Sequence, residues 1–246
     1  MERTEKLKIL GQQMEECDYV RWAFPSLHGV MLCKILPGNQ CRKFLKGRSC
    51  CPSTAAMGAA NEVPEIPELS GRGHPNGKLI PDPDTFHLLP WCGNGRKVGQ
   101  VFCNWTWCND EPVLGDSRGT ALRQIAALAQ EGLTIKSTFE YEFRLFQPGT
   151  DKPIADRSDC YSALLAYQNE DFLLDVAQNL YDAARIPIEA LHSELGKGQY
   201  EITMSPDSGI KAADNAFLYR EGIRELAHKH GMMASFMSAP IFEVIN

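Results

Sequence analysis

The sequence predicts an α+β chain, and three observations predict it. Apolar residues recur at helical spacing over 1–16, 117–131, 171–185 and 212–230, two short stretches alternate strictly with period two, and the segments between the helices read as further strands. The 246 residues exceed a typical single domain of roughly 100–200, so one large domain or two smaller ones are expected.

Each helix has its own reason. In 1–16, Leu7, Leu10 and Met14 share one face among charges. In 117–131 the stripe is Leu122, Ile125, Ala126 and Leu128, and Gly132 follows as a carboxyl-terminal cap. Asn169, Glu170 and Asp171 offer caps to a helix that repeats Leu173, Val176, Leu180 and Ala184. The last helix lines up Ala216, Tyr219, Ile223 and Leu226 and stops at Gly231. Residues 17–36 are more apolar and turn at Leu27-His28-Gly29, whereas 37–80 is rich in Gly, Pro, Ser and Asn and predicts long loops with short strands. No repeat at a solenoid period is present.

Charge and cysteine usage exclude whole classes. Lys and Arg number 25 against 31 Asp and Glu, a net charge of −6, which lacks the basic face that neutralises nucleic-acid phosphates. No stretch approaches the roughly 18 apolar residues of a membrane helix, and the charged start MERTEKLKILGQQMEE has no secretory apolar core. A cytoplasmic protein with neither nucleic-acid nor membrane partners is therefore expected. Its nine cysteines cannot all pair internally. Cys50-Cys51 and Cys103–Cys108 fit no CxxC zinc spacing, so the cysteines read as small buried hydrophobes.

The chemistry concentrates on the two alternating strands. In FEYEFRL, Phe139, Tyr141, Phe143 and Leu145 fall on one face and Glu140, Glu142 and Arg144 on the other. In QYEITM, Gln199, Glu201 and Thr203 share a face, with Glu189, His192 and Glu194 shortly before. Glutamates two apart on a strand sit about 7 Å from one another and repel unless a cation or water lies between. With Glu194 and Glu201 added, the set suits a hard divalent ion such as magnesium or manganese. The same alternation equally describes a solvated strand face.

Five ordered segments carry a resemblance: NGKLIPDPDTFHLLPW, EPVLGDSRGTALRQ, FEYEFRLF, EALHSELGKGQYEI and AADNAFLYREGIRELAHKHGMMASFM. Together they resemble the class I glutamine synthetases, and the Ser26-Leu27-His28-Gly29 turn is nearest the lengsin branch of that family. The resemblance implies a helical segment at 1–16, a β-grasp domain over 17–107 and part of a catalytic domain, with a curved antiparallel sheet, over 108–246. It implies that Glu142, Glu194 and Glu201 ligate a first metal, that Glu140 ligates a second, and that Glu189 contacts nucleotide. The cofactors implied are Mg2+ or Mn2+ and ATP, and the partners are glutamate, ammonia and further copies of the chain in a ring. The reaction implied is ligation of ammonia to glutamate through γ-glutamyl phosphate.

Four departures set further expectations. Ser26 stands where the family has the aspartate that attracts and deprotonates ammonium, which a neutral hydroxyl does not do, so no catalytic base is assigned. The approach to Glu194 is reduced to Leu191-His192-Ser193, where a lone His192 reads first as structural, with a nucleotide or substrate contact as the alternative. Ser238-Ala239 replaces the family's Pro-Lys, and the chain ends at Asn246, before the family's distal metal ligands and substrate arginines. A truncated chain without ligase activity is expected, with a non-catalytic lengsin-like scaffold, or a ligase for another amine, as alternatives.

Overall fold

A computed structural model of the chain describes residues 2–50 and 75–238. Much of the loop-rich stretch expected over 37–80, together with Cys51 and Ala239, lies outside the described residues. The chain separates into two compact units, Met1–Ile135 and Lys136–Asn246.

The first unit contains α1 (Arg3–Glu15), β1 (Tyr19–Pro25), β2 (Met31–Pro37), α2 (Gly38–Cys41), β3 (Arg48–Cys50), β4 (Gly77–Pro81), β5 (His87–Leu88), β6 (Val98–Trp107) and α3 (Ser117–Gln130). Its sheet runs β2-β1-β6-β4-β3, with β5 also on β6. Strands β1 and β6 pair in parallel and every other pairing is antiparallel, which gives the β-grasp-like layout. Leu10 and Met14 of α1 bury against Val20, Trp22, Phe24, Val101 and Trp105, with Leu7 packed beside them. Cys17, Cys41, Cys50 and Cys103 lie in this core. They act as small apolar side chains.

Two polar devices close this unit. Ser26, 2% exposed, ends β1: its Oγ accepts from Val30 N at 3.2 Å and its carbonyl accepts from Gly29 N at 3.1 Å, which forms the expected turn. Asp116 caps α3 through Gly119 N at 2.9 Å and also accepts Trp105 N at 2.8 Å, so one carboxylate ties the helix start to β6. Arg118 then pairs with Asp82 at 2.8 Å and donates to Asn104 at 2.6 Å. The expected apolar stripe of α3 is a weaker anchor. Leu122, Ile125 and Leu128 are only half-buried and Ala126 is exposed, so the first turn, with Arg118 and Gly119 buried, holds the helix.

The second unit contains β7 (Lys136–Ser137), β8 (Glu142–Phe146), α4 (Ala163–Gln168), α5 (Glu170–Ala184), β9 (Ile188–Ser193), β10 (Gln199–Met204), β11 (Asp207–Ser208), α6 (Ile210–Lys229) and β12 (Met233–Ser235). The main sheet is antiparallel in the order β12-β8-β10-β9, and β11 pairs with β7 separately. One face buries Phe143, Leu145, Tyr200, Ile202 and Met204 against Leu173, Val176 and Leu180 of α5 and Tyr219, Ile223 and Leu226 of α6. Edge-on packing of Phe143 on Phe172, 6.3 Å between ring centres, joins the layers. Gly231 takes φ 72° after α6, a left-handed cap that an L side chain resists.

Two local expectations need correction. The strand expected from Phe139 begins at Glu142. Tyr219 donates its hydroxyl to Ile202 O at 2.8 Å and also reaches Tyr141 O at 3.4 Å, so a side chain takes the place of the next backbone rung. Phe139 and Tyr141 still stack, at 5.6 Å, on the aromatic side. Asn169 stands at the N-cap of α5, but its side chain makes no cap bond; its amide donates to Tyr200 Oη at 2.7 Å, and the first turn carries Glu170 and Asp171.

His87 predicts how the first unit responds to acid. Burial pushes this imidazole down to about 4, against the opposing pull of the Thr85 carbonyl 2.8 Å from Nδ1. An unfolded chain protonates near 6.5 while the fold does not, so His87 contributes stability above that pH and loses it as pH falls from about 6.5 towards 4, by roughly 2–3 kcal/mol. Urea midpoints measured at pH 7 and pH 4.5 should fall further in the wild type than in His87→Gln; equal falls would refute the assignment.

Candidate metal centre

The period-two rule that buries Phe143 and Tyr200 turns their neighbours to the opposite face of the sheet. Register then decides which of them meet. Glu142 lies directly across from Glu201, and Glu201 lies across from His192, so three adjacent strands, β8, β10 and the edge strand β9, present their side chains in one row. Just beyond β9, the Glu194 amide donates to Gln199 O at 2.8 Å and turns the chain back into β10. His192, Glu194 and Glu201 each bring one ligand atom within 4.8 Å of the others, and His192 Nδ1 stands 3.3 Å from Glu194 Oε1.

Electrostatics mark the same spot. The Glu201 carboxyl is raised above its ordinary value, first by burial and then by Glu140, Glu194 and Glu142, with His192 opposing. Four carboxylates on one rigid face repel one another, and a divalent cation relieves that repulsion. Among the described residues this donor set of carboxylate oxygens and an imidazole fits magnesium, manganese or a neighbouring transition ion.

The other anticipated residues separate into those at this face and those away from it. Glu142 sits beside the triad, but its carboxylate is engaged by the Gln199 side-chain amide. Glu140 is exposed, ahead of β8, and lines with Glu142, Arg144, Gln199 and Glu201 a cleft of about 440 Å³. Glu189 is not brought to the triad: it occupies the irregularity where β9 and β10 change register and accepts from Ser205 Oγ at 2.6 Å. Ser26, in the other unit, spends its hydroxyl on the β1–β2 turn.

The loop between β9 and β10 keeps this geometry. Gly196 N donates to Gln199 Oε1 at 2.8 Å, and a Cβ at Gly196 would collide with that oxygen and with the Arg144 guanidinium. On the other side, Ser193, 1% exposed, fastens the segment before α4: its Oγ donates to Asp159 O at 2.9 Å and accepts from Ser162 N at 2.9 Å, while Tyr161 N donates to Ser193 O at 3.0 Å. This holds Cys160 with Sγ 3.9 Å from both Glu194 oxygens and Tyr161 edge-on to His192 at 4.8 Å. Tyr161 adopts φ 60°, a left-handed backbone uncommon for an aromatic residue and frequent at functional sites.

Sequence reasoning passed over Cys160 and Tyr161 and weighed His192 as a structural residue. For His192 a signal existed, since i and i+2 on a strand put it on the face of Glu194. For Cys160 and Tyr161 none did, because tertiary bonds through Ser193 bring them in.

An acidic row on a curved antiparallel sheet, backed by helices, defines the class of fold and site. Residues 114–245 match the family model described as glutamine synthetase, catalytic domain, and the chain belongs to that family. It is 35% identical over 181 residues to the glutamate–isopropylamine ligase of Pseudomonas sp, covering 70% of this chain and 39% of that protein. Lengsin of Homo sapiens is 29% identical over 241 residues, 95% of this chain and 46% of the relative. The γ-glutamylanilide synthase of Acinetobacter sp is 30% identical over 211 residues, 77% and 40% respectively. A solved structure of GmaS with ADP superposes with a TM-score of 0.81 at 21% identity, over 94% of this chain and 52% of that one, and supports the fold. The chain thus spans less than half the length of these curated relatives.

Ser193→Ala should leave the Ser162 amide and the Asp159 carbonyl without their partner, costing about 1–3 kcal/mol. Thermal melting and peptide mapping of thiol alkylation check this: a lower melting temperature with faster labelling of Cys160 is expected, and an unchanged labelling rate would contradict the fastening role.

Proposed function

We propose that the protein is an ATP-dependent glutamate–amine ligase and that this chain supplies its cation-binding glutamates. The observation that carries the reading is the convergence of Glu194, Glu201 and His192 within 4.8 Å on a sheet face that also bears Glu142. In the reaction proposed, a γ-phosphoryl group passes from ATP to the γ-carboxylate of glutamate, releasing ADP. An amine nitrogen then attacks the acyl carbon, expels phosphate and loses a proton. Bound at this face, Mg2+ or Mn2+ would neutralise charge on the phosphate oxygens during transfer.

This chain's residues have distinct parts in that scheme. Glu142, Glu194 and Glu201 hold the first cation, Glu140 faces the second, and Glu189 contacts nucleotide. Gln199 fixes the Glu142 carboxylate, so the ligand is oriented before the cation arrives. The amine we favour is an organic one. Two relatives bear the names of isopropylamine and anilide ligases, and Ser26 offers no negative charge to gather ammonium. A ring of like chains in the cytoplasm completes the proposal. No described helix is long and apolar enough to cross a membrane.

A second reading is a non-catalytic scaffold, favoured by similarity to lengsin over 95% of the chain. Cation binding separates the two. Electron paramagnetic titration of the 246-residue chain with Mn2+ should show binding that weakens by about tenfold or more in Glu201→Gln, as loss of a ligand requires. Absence of Mn2+ binding in the wild type would remove the ligase reading and leave the scaffold.

A further inference from the structure

The sequence contains the dipeptide Asn-Gly twice, at Asn76-Gly77 and Asn94-Gly95. In this pair the glycine nitrogen can close a five-membered ring on the asparagine carboxamide carbon, and no Cβ crowds its approach. The structure sets the two copies in opposite surroundings. Gly77 is buried in the sheet of the first unit, paired with Cys50 of β3 on one side and Trp107 of β6 on the other. Bending Asn76 onto that nitrogen would disturb strand pairing on both sides.

Asn94-Gly95 is the middle of a tight turn that leads into β6. Arg96 N donates to Gly93 O at 3.2 Å across it. Asn94 and Gly95 take φ 48° and 90°, left-handed at both central positions as in a type I′ turn. Both residues are exposed, and a Cβ built on Gly95 would meet no atom within 4 Å. Among the described residues the Gly95 amide has no acceptor. Swinging the Asn94 carboxamide towards that nitrogen therefore costs the single bond that closes the turn.

We propose that Asn94 is a self-modification site, where the Gly95 nitrogen converts the carboxamide to a carboxylate through a cyclic imide. The Gly95 N–H gives its proton to solvent, the nitrogen bonds to Asn94 Cγ, and the Cγ–Nδ2 bond breaks to release ammonia. Water then opens the ring. Attack at Cγ leaves an aspartate on the unchanged main chain. Attack at the backbone carbonyl carbon leaves an isoaspartate, with the main chain running through Cγ. The sum is hydrolysis of one amide, with no change of oxidation state. Either product adds one negative charge to a chain of net charge −6 and sets a carboxylate beside Arg96 and Lys97. The isoaspartyl form also lengthens the turn just before Lys97 N bonds to Asp18 and Val98 O to Leu89 N.

Mass mapping of the purified 246-residue chain tests this, with Asn76 as the internal control. Folded and urea-unfolded samples are held side by side at mildly alkaline pH, and the tryptic peptides ending at Arg96 and Lys78 are followed. In the folded protein the Arg96 peptide should gain the mass of an amide-to-acid change and split into aspartyl and isoaspartyl forms. The Lys78 peptide should stay unchanged there, and both should convert in urea. Gly95→Ala should lose most of the conversion at Asn94, because a methyl group then crowds the nitrogen. No conversion at Asn94 in the folded chain overturns the proposal, whatever the urea sample does. Equal conversion of the two peptides in the folded chain overturns the role given to the turn, and an unslowed Gly95→Ala overturns the cyclic route.

Discussion

The constraint on which the second unit depends is the two-faced pleat of β8, β10 and β9. Burying Phe143, Leu145, Tyr200 and Ile202 under α5 and α6 stabilises the unit, and each such large apolar side chain is worth about 1.5–3 kcal/mol. The same pleat forces Glu142 and Glu201 onto the opposite side, where register sets them across from one another and from His192. Packing energy therefore holds like charges together. The burial and, after it, the repulsion that raise the Glu201 carboxyl are maintained by the core beneath it, so the carboxylates are held in place by the sheet itself.

The supports around that row are local and polar. Gln199 links the loop at Gly196 to the Glu142 carboxylate, and Ser193 links β9 to the segment bearing Cys160. Each ties a loop to a strand, so the positions of these side chains follow from the sheet. Tyr219 has the complementary role on the packed side. By bonding to Ile202 O and reaching Tyr141 O, its hydroxyl ends the β8 ladder at Glu142 and leaves Glu140 at the cleft mouth.

Much of this was legible in the sequence where one period dominates. The 3.6-residue stripes of α1, α5 and α6 and the strict alternation of β10 specify both the element and its buried face, because burial energy and local geometry agree there. The site was legible in part. Alternation puts Glu142 with Glu140 and Glu201 with Thr203, yet only cross-strand register, a long-range property, makes Glu201 face Glu142 and His192. Where tertiary contacts compete with pattern, the pattern misleads. The Phe139 strand is cut short by Tyr219, the Asn169 side chain bonds Tyr200 instead of capping its helix, and α3 is held by Asp116 and Arg118 more than by its apolar stripe. Cys160 had no local signal, since its place is set from 33 residues away by Ser193.

The central claim is that the sheet face of Glu142, Glu194 and Glu201 is built for a divalent cation. Crystals of the chain soaked in Mn2+ and measured for anomalous scattering test it most directly. The account predicts a single strong anomalous peak over Glu201, about 2.0–2.5 Å from oxygens of Glu194 and Glu201. Ordered glutamates on that face, with no anomalous density among them at saturating Mn2+, would contradict it.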